Sequence, residues 1–396
     1  MRPFTVAALA ASVIAAALSA PAAAADAIPS PPPLPPGITL PPPTPNDTLV
    51  SPQVGPGGRV TFRIYAPEAR HVGVDGEFRP FGAPPLELVR QDNGVWVLTV
   101  EAIPAGAYRY AFVVDGVQVV DPRNVLTSRS MRQVRSLLVV ADGDFAADRP
   151  GAPHGTITEV RYASPVLGVE REMRVYTPPG YRPTGKPYPV LYLLHGGGDS
   201  EDSWPTVGRA GVILDNLIAE GRAVPMVVVM PSGAVRPTGQ PMTWDKAQDP
   251  FTTDLTSAIM PWVETHLNVS RRPEDTALAG LSMGGIQTLN IGLTDTQRFR
   301  WLGVFSSGWF PPDLKAFEQR YGANLGREAA RLKLLWYSNG SSDIALPQAK
   351  SAYQMFDRRG VRYEPHETPG GHTWENWRAN LRDFAPRLFR SGPPAP

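Results

Sequence analysis

Between Gly58 and Ala141 apolar and polar positions alternate in short runs: GRVTFRIYAP, HVGVDGEF, VWVLTVEAI, AYRYAFVVDG and SLLVVAD. These runs are rich in β-branched and aromatic residues, the pattern of half-buried strands. Asp92-Asn93-Gly94 and Asp115-Gly116 supply residues that tolerate positive φ, as tight hairpins require. No helical period interrupts the series. The pattern predicts an all-β sandwich of roughly immunoglobulin size over 58–141.

The period changes from Thr156 onward. TITEVRYA and REMRVYTP read as an antiparallel opening pair. YPVLYLLHG, MVVVMPSG, DTALAGLS, WLGVFSSG and KLLWYSNG follow, each an apolar run ending in Gly or Ser. Amphipathic stretches such as VILDNLIAEG and LTSAIMPWVETHL lie between them. Continuous apolar strands suit a sheet covered on both faces, and alternation with helices suits parallel strands. The pattern predicts a mostly parallel sheet with flanking helices over 156–391.

The remaining segments lack either period. Residues 1–25 read as a cleaved signal peptide: Arg2, an apolar stretch from Val6 to Leu18, and Ala23-Ala24-Ala25 before Asp26. That predicts a secreted or periplasmic protein with no membrane attachment after cleavage. Residues 26–57 are dominated by proline and read as an extended spacer. Residues 142–155 read as a second linker.

Composition narrows the chemistry. The 38 basic and 37 acidic residues leave a formal charge of +1, which gives a nucleic-acid partner no electrostatic footing. With 0 cysteines and scattered histidines, no metal site and no cofactor are expected.

Within DTALAGLSMGGIQT, Ser282 lies where an apolar strand gives way to a helix, inside G-L-S-M-G. In a nucleophile elbow, glycines at 280 and 284 leave room for a sharp turn that exposes the serine. A serine needs a base, and the base needs an orienting carboxylate; on this kind of sheet they follow in the order Ser, acid, His. Of the six histidines, only His366 and His372 follow Ser282. His366 sits in the strand-like VRYEPHE, and His372 in the glycine-flanked TPGGHTWENW before the last helix, where a mobile base is expected. Asp343, delivered by the end of LLWYSNGSSD, is favoured as acid over Asp295, Asp313 and Asp357, which fall in or beside helical patterns. For the oxyanion, the Met283 N–H is one expected donor. The second is expected from His195-Gly196-Gly197-Gly198, with Gly197 first and Gly198 next.

Together, LLHGGGDSEDSW, VVVMPSG, GLSMGG, SNGSSD and GGHTWENWR resemble the carbohydrate esterase family that includes feruloyl and acetylxylan esterases. Siderophore esterases of the enterobactin type and mycolyltransferases are its relatives on the same α/β-hydrolase fold. The resemblance spans about Thr156 to Phe389 and implies Ser282, Asp343 and His372 as a triad. GRVTFRIYAPEARHVGVDGEF and GAYRYAFVVDG are similar to carbohydrate-binding module family 48. With Trp96 alone among tryptophans in that region, the domain reads as one that packs on the esterase and shapes its cleft rather than as a sugar platform.

Trp204, Trp244, Trp309 and Trp374 fall in loops that would border the pocket, and are expected to include walls for an aromatic acyl group. The reading is therefore a secreted serine esterase acting on feruloyl or acetyl groups of an ester-decorated polysaccharide or oligosaccharide such as plant xylan. A trilactone siderophore esterase and a non-catalytic carbohydrate-binding protein with this fold are the alternatives.

Overall fold

The computed structural model describes residues 42–235 and 249–390. The signal-peptide reading lies outside the described residues, as do residues 26–41 of the expected spacer.

The predicted β region forms two sheets. One orders Gln53–Val54, Val60–Tyr65, Val95–Val100 and Val89–Arg90; the other centres on Gly106–Val114, flanked by Val72–Gly76 and Val134–Val140. Val60, Phe62, Val72, Val74, Tyr110, Phe112 and Leu138 face one another across the sandwich with almost no exposure. Both hairpin signals close as read: Gly94 has φ 80°, and Asp115 and Gly116 have φ 45° and 87°. The sandwich takes up part of the expected spacer. Gln53–Val54 pairs with Val60–Tyr65, and the Ser51 hydroxyl donates to buried Asp121 at 2.6 Å. A two-residue edge strand between prolines has no alternation to read.

The second layer system is an eight-stranded sheet. In chain order its strands are β1 (Thr156–Ser164), β2 (Val169–Thr177), β3 (Val190–Leu194), β4 (Val227–Pro231), β5 (Thr276–Leu281), β6 (Trp301–Phe305), β7 (Leu334–Gly340) and β8 (Glu364–Thr368). Their spatial order is β1-β2-β4-β3-β5-β6-β7-β8. The first two join antiparallel and the others run parallel. Alternate side chains of one strand enter opposite cores: Tyr192 and Leu194 one, Leu191 and Leu193 the other. That two-sided burial is why these strands read as unbroken apolar runs. The fold is therefore an α/β-hydrolase sheet preceded by a β-sandwich.

Residues 142–155 are not a free linker. Ala146 is fully buried, the Asn216 side-chain amide donates to the carbonyls of Phe145 and Ala147, and Asp144 pairs with buried Arg378. Gly155 N–H donates to Asp215, 60 residues along the chain. Polar composition suggested a tether, but its partners come from distant helices. Among the described residues no helix is long and apolar enough to cross a membrane.

Candidate active site

Register places the chemistry. Leu194 pairs with Gly280, Leu281 with Phe305, and Phe305 with Ser338, so β3, β5, β6 and β7 end at one level. The residues that follow each strand meet above that edge, where ligands of parallel sheets bind.

Ser282 sits between β5 and the helix Met283–Gly292 with φ 51° and ψ −114°. That conformation is strained for a residue with a Cβ, costing about 1–3 kcal/mol. The surroundings enforce it. Ser282 N–H donates to Phe305 O at 2.9 Å, and Gly284 N–H to His195 O at 3.1 Å. The Ser307 hydroxyl donates to Ser282 O at 2.6 Å. The flanking glycines are obligatory: a Cβ on Gly280 would lie 2.4 Å from Gly284 O, and one on Gly284 2.6 Å from His195 O.

Asp343 and His372 arrive on two loops tied to each other, Ser341 N–H donating to Thr368 O at 2.8 Å and Ser342 N–H to Gly370 O at 2.9 Å. The structure brings all three expected residues together. Ser282 Oγ lies 3.0 Å from His372 Nε2, and His372 Nδ1 lies 2.9 Å from Asp343 Oδ1. Asp343 Oδ1 also accepts from Ala345 N–H at 2.8 Å. These contacts select the tautomer with hydrogen on Nδ1, leaving the Nε2 lone pair to face the serine hydroxyl. Burial, the largest single influence, works to raise the Asp343 carboxyl; His372, the Ser306 hydroxyl and the Ala345 N–H outweigh it and hold the group below the usual carboxylate range. A buried anion, an oriented imidazole and a partly buried hydroxyl at the cleft in series can carry a proton away from the hydroxyl as it attacks.

The other candidates lie elsewhere. His366 is in β8, tilted against Trp336 at 5.0 Å. Asp295 pairs with Arg298, Asp357 accepts from Tyr363, and Asp313 is in the first turn of the helix Pro311–Ala329.

His195 has a structural role that its sequence context did not reveal. Its buried ring takes Gly233 N–H on Nε2 at 2.9 Å and approaches Gly196 O with Nδ1 at 2.8 Å. The imidazole is therefore neutral with hydrogen on Nδ1, and burial, its main influence, lowers its pKa. The same Gly196 carbonyl accepts Asp199 N–H at 3.3 Å. With its carbonyl held twice, the Gly196–Gly197 peptide plane is set, and so is the direction of the Gly197 N–H. Among the described residues, none accepts from the N–H of Met283, Gly197 or Gly198.

The cleft beside Ser282 and His372 encloses about 130 Å³, with Ile286, Phe310, Ile344, Gly308 and Gln348 in its walls. Of the four expected tryptophans, the three among the described residues do not line it. Trp204 is 1 % exposed, its indole donating to Leu194 O at 3.0 Å. Trp309 is equally buried, donating to Asn290 Oδ1 at 2.7 Å. Trp374 is buried edge-on against Trp204 and Trp377. Trp244 lies outside the described residues. At 309–310 the turn sends the tryptophan inward and its neighbour Phe310 outward, 48 % exposed beside the cleft.

Comparison with known proteins agrees with this geometry. Residues 164–388 match the family described as "Putative esterase", and residues 50–128 match carbohydrate-binding module 48, the isoamylase N-terminal domain. The endo-1,4-beta-xylanase/feruloyl esterase of Xylanibacter ruminicola is 33% identical over 86% of this chain, which spans 46% of that protein's length. A solved ferulic acid esterase from Anaeromyces mucronatus is 28% identical, with a TM-score of 0.53, covering 62% of this chain and 94% of its own. The enterobactin esterase of Shigella flexneri, at 19% identity, shares the fold over 84% of this chain and 92% of its own, with a TM-score of 0.61. The chain belongs to this esterase family, as a carboxylic ester hydrolase related to feruloyl esterases, with a carbohydrate-binding module 48 domain at its N-terminal side.

Proposed function

We propose that the protein is a secreted or periplasmic serine esterase that releases feruloyl or acetyl groups from plant cell-wall xylan, with Ser282, His372 and Asp343 as its triad. Ser282 Oγ attacks the ester carbonyl while His372 Nε2 takes its proton. The tetrahedral oxyanion is met by the N–H groups of Met283 and Gly197, with Gly198 adjacent. His372 then returns the proton to the departing sugar oxygen. Water, deprotonated by the same nitrogen, hydrolyses the acyl-enzyme. Asp343 keeps the imidazole in its tautomer and stabilises it when charged. None of these steps calls for a metal or cofactor.

The observation that carries this reading is the hydrogen-bonded series Ser282–His372–Asp343 opening onto a cleft walled by Ile286, Phe310 and Ile344. An apolar wall with one aromatic ring suits a hydroxycinnamoyl group by burial and stacking. The feruloyl esterase activities of the Xylanibacter and Anaeromyces relatives support the same substrate class.

An anionic trilactone would want free cationic groups. Among the described residues Arg171 is taken by Asp254, Arg174 by Glu159 and Asp202, and Arg378 by Asp144, which counts against that alternative; Arg236 lies outside them. The test is a side-by-side rate comparison on methyl ferulate, acetylated xylan and a catecholate trilactone, with Ser282→Ala as control. Preference for ferulate or xylan acetate, lost in Ser282→Ala, is expected. Preference for the trilactone would overturn the substrate, and activity surviving in Ser282→Ala would overturn the triad.

A further inference from the structure

The run AYRYAFVV places one charged residue inside an otherwise apolar strand, and Arg109 is 5 % exposed. A guanidinium is buried only where its donors are matched. Here the partners cross from the sandwich to the hydrolase. Arg109 Nη1 donates to Asp199 Oδ1 at 2.8 Å, and Nη2 to Ser203 Oγ at 2.7 Å. Nε donates to Ser128 Oγ at 2.9 Å, and Nη1 also reaches Glu77 at 3.4 Å on its own domain. The guanidinium lies over the ring of Trp374, two residues beyond His372, at 5.7 Å.

Asp199 closes the glycine loop. Its N–H donates to Gly196 O, and the carbonyl of the same peptide, Gly198 O, accepts Met131 N–H at 3.0 Å. Met131 stands on the tip between the sandwich strands Thr127–Arg129 and Val134–Val140, and is 53 % exposed. The Gly198–Asp199 peptide is thus held at its carbonyl by Met131 and through its carboxylate side chain by Arg109. Through Asp199 N–H it fixes Gly196 O, whose peptide carries the Gly197 N–H.

We propose that the β-sandwich positions the oxyanion loop of the esterase, with Arg109 as the positioning residue and the Met131 N–H as its second hold. This rests on the reading of the Gly197 N–H as an oxyanion donor. The sandwich acts here as part of the catalytic apparatus without touching substrate. Its effect falls on transition-state stabilisation, because a ground-state carbonyl depends little on donors placed for the oxyanion.

The experiment uses the full chain. Arg109→Met is expected to lower kcat on methyl ferulate about ten- to a hundredfold, with KM within about threefold. Binding of phenylboronic acid, a tetrahedral mimic, should weaken by the same factor, while binding of ferulate stays unchanged. Arg109→Lys keeps the charge with a smaller set of donors and should recover part of kcat. Met131→Pro removes one donor on an exposed tip and serves where Arg109→Met does not fold; a three- to tenfold fall in kcat with the same split is expected. Trp96→Phe loosens the sandwich core, where the indole donates to Ala66 O, and should leave kcat unchanged. Unchanged kcat and boronate affinity in folded Arg109→Met or Met131→Pro would overturn the proposal while leaving the triad intact. Loss of kcat in Trp96→Phe equal to that in Arg109→Met would reduce the effect to stability and also overturn it. Activity persisting in Ser282→Ala would remove the reading beneath it.

Discussion

Replacing Asp343 by Asn isolates the charge of the buried acid. Asp343 Oδ1 accepts from both His372 Nδ1–H and Ala345 N–H, so an amide oxygen there preserves both bonds. The amide NH2 then occupies the site of Oδ2, which is buried and makes no direct hydrogen bond among the described residues, although the nearby Ser306 hydroxyl favours the charge of the carboxylate. The reverse orientation sets an NH2 against the Ala345 N–H and forces hydrogen onto His372 Nε2, where it blocks proton transfer from Ser282. In the productive orientation only the negative charge is lost. An imidazolium and a carboxylate about 4 Å apart at an effective dielectric of about 20 attract by about 4 kcal/mol. That converts to about a thousandfold in kcat. KM should change less than about threefold, because the substrate touches neither atom. The assay is steady-state hydrolysis of methyl ferulate, with thermal unfolding as the folding control. The folded-state carboxyl lies below its ordinary value, so it contributes stability above pH 3.8 that drains away as pH falls through the depressed value. Asp343→Asn should therefore flatten that acid limb. A folded Asp343→Asn protein within tenfold of the native kcat would refute the role given to the carboxylate.

Gly284→Ala drives a Cβ to 2.6 Å from His195 O and 2.7 Å from Leu194 Cβ, at the root of the glycine loop. It should cost about 1–3 kcal/mol in denaturant unfolding and lower kcat in parallel; native stability and activity would show that the elbow has slack. Trp204→Phe leaves Leu194 O without its indole donor, so a loss of about 1–3 kcal/mol with unchanged KM is expected. A raised KM for feruloyl esters at unchanged stability would restore Trp204 to the substrate pocket. His195 is held neutral below its ordinary pKa of 6.5, so its contribution is intact above pH 6.5 and falls as pH drops toward the depressed value. His195→Gln should be less stable at pH 7.5 and show a flatter decline in melting temperature between pH 6.5 and 5; parallel curves would contradict the assignment.

What was legible depended on how local the cause is. The elbow announces itself in GLSMGG because the crowding of Gly280 and Gly284 arises within one strand–helix turn. The order of Ser282, Asp343 and His372 follows from the order of strands whose ends lie level. The inward turn of Trp204 and Trp309 was not legible, because a loop has no period to say which way a side chain turns. Trp309 and Phe310 are adjacent and face opposite ways. Residues 142–155 resemble a tether in composition, but Asp144 finds Arg378 at a separation of 234 residues. Arg109 did carry a signal, a charge within an apolar alternation, yet its partners Asp199 and Ser203 are 90 and 94 residues away.

Three departures from local rules in this chain touch one loop. Ser282 holds a backbone conformation that residues with a Cβ avoid, Arg109 interrupts an apolar strand, and His195 is a buried imidazole bonded at both nitrogens. Each alone is unfavourable: strain in the first, desolvation of a charge in the second, a polar ring kept from water in the third. Each is held in place in part by a contact at residues 195–199. His195 O takes the Gly284 N–H that anchors the elbow, His195 Nδ1 holds Gly196, and Arg109 holds Asp199. Unfavourable local choices that satisfy one another are expected where geometry matters more than stability. A loop of consecutive glycines has the greatest conformational freedom to lose, so it stays in place only if something external fixes it. Here the fixing groups come from three directions: the elbow, the β4 end through Gly233, and the sandwich. An esterase domain on this sheet without the sandwich would lack the third of these, and Asp199 would keep only the Ser203 hydroxyl, at 3.2 Å, as a side-chain partner.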